Sequence, residues 1–130
     1  MKLLLDADVL IGALDRSDAH HTQARELLVG AHERHDQLTI SAVNLTEVLI
    51  APAADASLLS AAREAIAALA IAVHQPSEAI AVDAARLGSR HPISLPDAYL
   101  LASAKYIGAS VASFDRKVQQ AASRESLATV

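Results

Sequence analysis

The sequence predicts an α/β fold, a three-layer sandwich in which helices cover both faces of a mostly parallel sheet of four to five strands. Short apolar runs typical of buried strands alternate with longer segments in which apolar residues recur at helical spacing. This alternation is typical of parallel sheets, because consecutive parallel strands need a crossover that is usually a helix. The 130 residues, of which 52% are apolar, suffice for one domain over residues 1–130 with a substantial core.

The first half of the chain begins with a predicted strand at residues 2–5, which is an uninterrupted apolar run after the lysine. A short helix follows at residues 9–14, and apolar residues at helical spacing predict a second one over 19–33. Residues 38–41 are the next strand. The short helix at 44–50 ends before a proline, which cannot continue a helix.

Helical periodicity dominates the second half of the chain. Asp55 is a typical N-cap for the first of these helices, and the later ones begin near serine and proline, residues common at helix starts. We assign the helices to residues 55–70, 76–90 and 94–108, with a helix of about two turns after Asp115. Apolar runs between them predict strands at residues 71–73 and 110–114, and a short last strand at 127–130.

Composition and charge argue against several functions. The absence of cysteine excludes a disulfide framework, a thiol nucleophile and a zinc–thiolate site, and three aromatic residues are few for a protein that stacks bases. The longest apolar stretch, residues 65–73, is too short to span a bilayer, and Asp6 comes too early for a signal peptide. We therefore expect a cytoplasmic protein without a membrane partner. A net charge of −4 argues against tight non-specific binding to nucleic acid, unless a bound cation inverts the local field.

Four isolated acids, Asp6, Glu47, Asp97 and Asp115, each lie where an apolar run ends or a helix begins. Each one alone is explained by helix capping; Asn44 and Glu47, for example, have the spacing of a capping box. Together they predict more, because the carboxyl ends of parallel strands and the first turns of the following helices meet at one edge of a sheet. Converging carboxylates repel one another, and a divalent cation relieves that repulsion. The four acids therefore predict a Mg²⁺ site.

The segments that hold these acids closely resemble the PIN-domain ribonucleases, and among them the VapC-type toxins of bacterial toxin–antitoxin pairs. The resemblance covers nearly the whole chain and rests on four segments in order, at residues 5–11, 41–49, 95–102 and 111–116. It implies the PIN fold and a metal-dependent endoribonuclease. It also implies that the four acids are the family's metal-binding quartet. Ser113 matches the serine or threonine that precedes the last acid by two residues.

The resemblance further implies a mechanism and partners. With Mg²⁺ or Mn²⁺, metal-activated water attacks the RNA phosphodiester without a covalent intermediate, and Ser113 orients a carboxylate or a metal-bound water. Arg116, the neighbour of Asp115, is our best candidate for a phosphate contact. A cognate antitoxin and a homodimer are also implied. Exposed apolar residues on the helices around 19–31 and 56–70 are the candidate contacts for them.

Two positions depart from the family pattern. Asp8 stands where the family often has a polar uncharged residue, and we expect an outer-shell or structural role for it. Val118 stands three residues after Asp115, where the family often has phenylalanine, and we expect this difference to affect packing rather than chemistry.

Two other functions compete with the nuclease. One is a non-catalytic PIN-fold module that binds RNA or protein; the presence of all four acids argues against it. The other is a phosphatase of the haloacid-dehalogenase type, with Asp6 as the nucleophile and Asp8 as the general acid. A paired-acid motif and room for a cap are missing, and neither later lysine, Lys105 or Lys117, has a convincing position.

Overall fold

The computed structural model describes the whole chain, from Met1 to Val130. All strands of its one sheet are parallel, in the order β3-β2-β1-β4. The strands are β1 (Lys2–Leu5), β2 (Gln37–Ser41), β3 (Ile71–His74) and β4 (Ser110–Ala112). The predicted α/β fold with a parallel sheet is confirmed.

Helices connect the strands and cover both faces of the sheet, as expected for parallel crossovers. They are α1 (Ala7–Leu14), α2 (His21–Glu33), α3 (Ala42–Leu49), α4 (Ala56–Ala68), α5 (Glu78–Arg90), α6 (Leu95–Ile107) and α7 (Arg116–Arg124). A 3-10 turn at Pro52–Ala54 precedes α4. None of the helices combines the length and the apolar character needed to cross a membrane.

Side chains at the helix ends explain most of the boundaries. Asp55 caps α4 as predicted, because its carboxylate accepts from the backbone N–H of Ser57 and Leu58. Gly108 ends α6 with a φ of 68°, a left-handed conformation that glycine adopts without a steric penalty.

The predicted start of α3 was wrong. The helix begins at Ala42, and Ser41 is its N-cap, with Oγ accepting from the backbone N–H of Val43 at 3.3 Å. Asn44 is therefore inside the helix, and the capping box between Asn44 and Glu47 does not form. The side chain of Asn44 is fully buried and is used for contacts between helices.

The last predicted strand is reduced to a single parallel bridge between Val111 and Thr129. Around it, the Val111 N–H donates to the carbonyl oxygen of Ala128, and the Val130 N–H donates to the carbonyl oxygen of Val111. β4 is also shorter than predicted, because the chain turns after Ala112. The C-terminal residues thus cover the edge of β4 without adding a fifth strand.

The core lies in two apolar layers, one on each face of the sheet. Leu4 belongs to the layer formed with α5, α6 and α7, whereas Leu3 and Leu5 belong to the layer formed with α1 to α4. Successive side chains of a strand point to opposite faces, so a strand covered on both sides must be apolar throughout. This requirement explains the uninterrupted run of leucines in β1.

The order of the strands creates a crevice beside β1. From β1 the chain proceeds to β2 and β3 on one side, and it returns through α5 and α6 to β4 on the other. The connections therefore diverge between the carboxyl ends of β1 and β4. Such a point is where parallel α/β sheets usually bind ligands.

Candidate active site

Asp6 lies at this crevice, directly after β1, and its position is fixed by three hydrogen bonds. Its backbone N–H donates to the carbonyl oxygen of Ala112 at 2.8 Å, which joins it to the end of β4. Its carboxylate Oδ1 accepts from the backbone N–H of Ala7 at 2.7 Å, and Oδ2 accepts from Ser113 Oγ at 2.6 Å. Only 5% of Asp6 is exposed. Asp6 is therefore both the N-cap of α1 and a buried, rigidly held carboxylate.

Ser113 links Asp6 to Asp115. Its buried hydroxyl donates to Asp6 and accepts from the backbone N–H of Asp115 at 3.1 Å, while Gln119 Nε2 donates to its carbonyl oxygen at 2.7 Å. Asp115 is the N-cap of α7 and accepts from the backbone N–H of Lys117 at 2.8 Å. One hydroxyl group thus sets the relative positions of two acids from different strand ends.

Asn44 brings the other two acids of the quartet together. Its Nδ2 donates to the carbonyl oxygen of Pro96 at 3.2 Å and to Glu47 Oε1 at 3.4 Å. Pro96 is in the first turn of α6 beside Asp97, and the Ser94 hydroxyl caps this helix by accepting from the Asp97 N–H at 3.3 Å. The side chain of Asn44 therefore fixes α3 against the start of α6.

These elements surround an open cleft of about 670 Å³ at the carboxyl edge of the sheet. All four acids of the predicted quartet line it, together with Asp8. Ser113 lies beneath them and is 2% exposed. The residues that line the cleft are Asp6, Ala7, Asp8, Ile11, Glu47, Ile50, Ala51, Pro92, Ile93, Ser94, Asp97, Asp115 and Lys117. Arg116, the predicted phosphate contact, is exposed and is not among them.

Burial and mutual repulsion raise the pKa of Asp6 to about 7. Burial has the largest effect, because a charged carboxylate loses hydration there, and the charges of Asp8 and Asp97 act in the same direction. The hydrogen bond from Ser113 stabilises the ionised form and opposes this shift. The metal-free cleft therefore keeps Asp6 protonated at pH values at which an exposed aspartate is ionised.

Three further acids of the cleft also have raised pKa values. Burial raises the pKa values of Asp8, Glu47 and Asp97. Neighbouring carboxylates add to this: Asp115 acts on Asp8 and on Asp97, and Asp97 acts on Glu47. The acids therefore form one electrostatically coupled group rather than separate helix caps.

The chemistry of this group fits a divalent cation. The acids offer only oxygen ligands, and the buried Oδ1 atom of Asp8 has no hydrogen-bond partner. The side chains do not form a closed cage, because no three histidine, aspartate or glutamate residues are arranged to hold one ion. Mg²⁺ is often held by only one or two carboxylates and keeps several water molecules. The cleft fits that open mode of binding.

Three residues of the site were missed or given another role by sequence reasoning. Asp8, for which we expected an outer-shell or structural role, accepts from the Phe114 N–H at 3.1 Å through Oδ2 and also lines the cleft. Asn44 was assigned to a cap, although its spacing of three residues from Glu47 also places both on one helix face. Lys117 was considered only as the lysine of a phosphatase and rejected for that role, but it lines the cleft. Val118 is fully buried in the layer with α5 and α6.

Comparison with known proteins gives a consistent result. The PIN domain family model matches residues 3–124. VapC20 from Mycobacterium tuberculosis, a sarcin-ricin loop cleaving toxin, is 18% identical, with a TM-score of 0.76 over 92% of this chain and 94% of its own. VapBC-1 from nontypeable Haemophilus influenzae is 15% identical, with a TM-score of 0.76 over 100% and 97%. A toxin–antitoxin complex from Klebsiella pneumoniae is 22% identical, with a TM-score of 0.65 over 87% and 86%. These likenesses show a shared fold. No curated protein matches the sequence.

Proposed function

Because the chain belongs to the PIN domain family, we propose that it is a Mg²⁺- or Mn²⁺-dependent endoribonuclease and the toxin of a VapC-type toxin–antitoxin pair. The observation that carries the proposal is the convergence of five carboxylates in one cleft. Burial and repulsion disfavour the charged forms of Asp6, Asp8, Glu47 and Asp97, so this arrangement destabilises the metal-free protein. A cation and its substrate give a reason for such an arrangement; capping alone does not.

The residues have distinct roles in this proposal. Asp6, Glu47 and Asp97 hold the metal, directly or through its water molecules, because no three acids surround one ion in the metal-free protein. Asp115 completes the site or holds a second ion or its water. When bound, the cation supplies an activated water as the nucleophile and stabilises the charge that builds up on the phosphate. Ser113 keeps the Asp6 carboxylate oriented and favours its ionised form.

Asn44 and Ala7 complete the support of the metal ligands. The amide of Asn44 holds Glu47 against the first turn of α6, and the backbone N–H of Ala7 fixes the second oxygen of Asp6. Asp6 must release its proton when the metal binds, since only the ionised carboxylate is a good ligand. No residue of the cleft is needed as a covalent nucleophile.

The partners under the same proposal are RNA as substrate, a cognate antitoxin that occludes the cleft, and a second copy of the chain, all in the cytoplasm. The likeness to a toxin–antitoxin complex supports the antitoxin. Val29 on α2 and Leu58 on α4 are 49% and 58% exposed, on the two helices expected to make such contacts. An apolar groove of about 420 Å³ between α1, α3 and α4 adjoins the cleft.

The test is cleavage of total cellular RNA by the purified protein in Mg²⁺, in Mn²⁺ and in EDTA, beside an Asp6→Asn variant prepared identically. We expect discrete fragments only with the metal and only from the unmodified protein, because the variant loses a charged metal ligand. Circular dichroism of both proteins checks that the variant is folded. Full activity of Asp6→Asn would contradict the proposed metal site.

The non-catalytic PIN-fold module that binds RNA or protein stays an alternative, and the presence of all four acids of the quartet in the cleft argues against it. Membership of the PIN family disfavours the phosphatase, for which Asp6 and Asp8 were the proposed catalytic pair. Wild-type protein that binds a divalent cation but leaves all RNA intact would favour the binding module.

A further inference from the structure

The cleft contains a single cationic side chain. Five of the residues that line it are carboxylates, and Lys117 is the only lysine, arginine or histidine among them. A phosphodiester is an anion, and it meets a strongly negative surface when it enters this cleft. A cationic residue at the entrance would offset part of that repulsion.

Lys117 is positioned rigidly at its backbone and is free at its ammonium group. It is the second residue of α7, and its N–H donates to Asp115 Oδ1 at 2.8 Å, so the start of its side chain is held at the cleft. The ammonium forms no ion pair with any of the five acids. Lys105, in contrast, is paired with Glu125. The charge of Lys117 is therefore available to a ligand.

Arg116 is adjacent in sequence but is placed differently. Successive residues of a helix differ in direction by about 100°, so Arg116 and Lys117 project in different directions from the start of α7. The structure places Lys117 in the lining and leaves Arg116 outside it. Of these two neighbours, Lys117 is therefore the cation that a phosphate in the cleft would meet.

We propose that Lys117 binds a backbone phosphate of the RNA, adjacent to the phosphate that is cleaved. Lys117 is exposed at the rim, whereas Asp6 is deeply buried, so the lysine is placed for a flanking phosphate rather than for the reacting one. An ammonium group acts on phosphate as a compact point charge and needs no particular orientation. This inference rests on the proposed function, because it takes RNA as the ligand.

The first experiment measures binding without cleavage. Fluorescence anisotropy of a labelled single-stranded RNA of mixed sequence is recorded in Ca²⁺, with a gel to confirm that the RNA stays intact. We expect Lys117→Gln to raise the dissociation constant roughly tenfold, as for a lost hydrogen bond to a charged group. The plot of log affinity against log salt concentration has a negative slope, and its magnitude should be smaller in the variant by about 0.7, the value for one phosphate contact on a single strand. Lys117→Arg should keep most of the affinity.

Matched variants identify the responsible charge. Arg124→Gln removes a positive charge from the last turn of the same helix, at an exposed position away from the cleft, and should leave RNA binding unchanged. Arg116→Gln should also have little effect on affinity. A loss of affinity in Arg116→Gln but not in Lys117→Gln would overturn the proposal, and so would equal losses in Lys117→Gln and Arg124→Gln.

The melting temperature, measured beside the RNA affinity, separates a ligand contact from a structural role. If Lys117 only relieves repulsion among the acids, Lys117→Gln should lower the melting temperature without metal and leave RNA affinity unchanged, which would overturn the proposal. If Lys117 contacts RNA, the rise in melting temperature caused by Mn²⁺ should be at least as large as in the wild type, because no metal ligand is lost.

Kinetics then connect the contact with the reaction. A flanking phosphate is bound equally in the ground state and the transition state, so Lys117→Gln should raise KM roughly tenfold and change kcat little. A fall in kcat with an unchanged KM would overturn the assignment to a flanking phosphate. If the wild type binds RNA but cleaves none, the nuclease proposal fails, while the binding experiment still decides the role of Lys117. Absence of RNA binding by the wild type would overturn the inference on Lys117.

Discussion

Asp6 combines a structural role and a proposed chemical role in one side chain. It caps α1 through Oδ1 and receives the Ser113 hydroxyl on Oδ2, while Asp8 and Asp97 raise its pKa together with burial. A cap in this position could be an uncharged residue. The local structure therefore does not require a charged side chain here. The effect of the carboxylate on the free energy of unfolding should be measurable in the metal-free protein.

The first prediction concerns the pH dependence that Asp6 creates. Its pKa rises from 3.8 when unfolded to about 7 when folded, so between these values the folded protein holds a proton that the unfolded chain has lost. The contribution of Asp6 to stability therefore falls as pH rises through this window. In EDTA, Asp6→Asn should be more stable than the wild type by on the order of 3 kcal/mol at pH 8, and by less at pH 5. Urea unfolding at several pH values measures the difference.

This prediction has a simple internal control. The advantage of Asp6→Asn should grow steadily from pH 5 to pH 8 and then level off, because Asp6 is fully ionised above its folded pKa. An advantage that does not change with pH would mean that the effect comes from packing or hydrogen bonding. It would also remove the argument that the cleft is destabilised by its charges.

At the scale of the elements, Glu125 joins the ends of three helices, α5, α6 and α7. It follows α7 and binds Arg90 at 3.0 Å, His91 at 2.6 Å and Lys105 of α6. These contacts, led by that with Lys105 and followed by that with His91, lower its pKa to about 2. The loop that begins at His91 continues into Pro92, which lines the cleft. The ion cluster therefore supports one wall of the site.

We predict that Glu125→Gln lowers the free energy of unfolding by about 1–3 kcal/mol at pH 7, the range for a partly buried charged hydrogen bond. The stabilisation is complete above pH 4.5, the unfolded value, and is lost as pH falls towards about 2, where the folded carboxylate is protonated. Thermal unfolding between pH 7 and pH 2.5 should show wild type and variant converging at low pH.

The matched control for this prediction is Asp83→Asn. Asp83 pairs with Arg86 at 3.0 Å, but the two side chains are 55% and 66% exposed, so the loss should be less than about 1 kcal/mol. If both variants lose the same stability, the Glu125 cluster is an ordinary surface network and does not support the cleft wall.

At the scale of the whole molecule, the cleft exists because several parts of the chain end at one edge of the sheet. Asp6 follows β1, Ser113 and Asp115 follow β4, and Glu47 and Asp97 come from α3 and α6. The negative charges of these acids repel one another in the metal-free protein, as the raised pKa values of Asp6, Asp8, Glu47 and Asp97 indicate. A cation at this edge would relieve that repulsion. Metal binding should therefore stabilise the entire folded state rather than one local segment.

We predict that Mn²⁺ raises the melting temperature of the wild type. A ligand at about 100 times its dissociation constant adds about 2.7 kcal/mol, which corresponds to a rise of roughly 10 °C for a chain of this size. Differential scanning fluorimetry in Mn²⁺, in EDTA and in NaCl of matched ionic strength measures it. Asp97→Asn, which removes one proposed ligand, should reduce the rise by at least half. An equal shift in NaCl would indicate charge screening and no specific site.

Much of the fold was predictable because each element is encoded locally. The apolar residues of β1 predict a strand covered on both faces, and Asp55 and Ser94 mark helix starts that the structure confirms. The start of α3 was not predictable in this way. Asn44 has the side chain of a good N-cap, but its partner is the carbonyl oxygen of Pro96, 52 residues further along the chain.

The same distinction between local features and contacts of distant residues applies to the candidate site. The sequence by itself determined the alternation of strands and helices and the presence of four acids at the ends of these elements. Both are local properties, because they depend only on the spacing of apolar residues and on the type of each residue. Only the tertiary structure decided that Lys117 rather than Arg116 lines the cleft, that Ser113 joins Asp6 to Asp115, and that Asp8 belongs to the same charged group. These features depend on the direction of side chains and on distances between residues far apart in sequence. Both are set only when the strands pair and the helices pack against them.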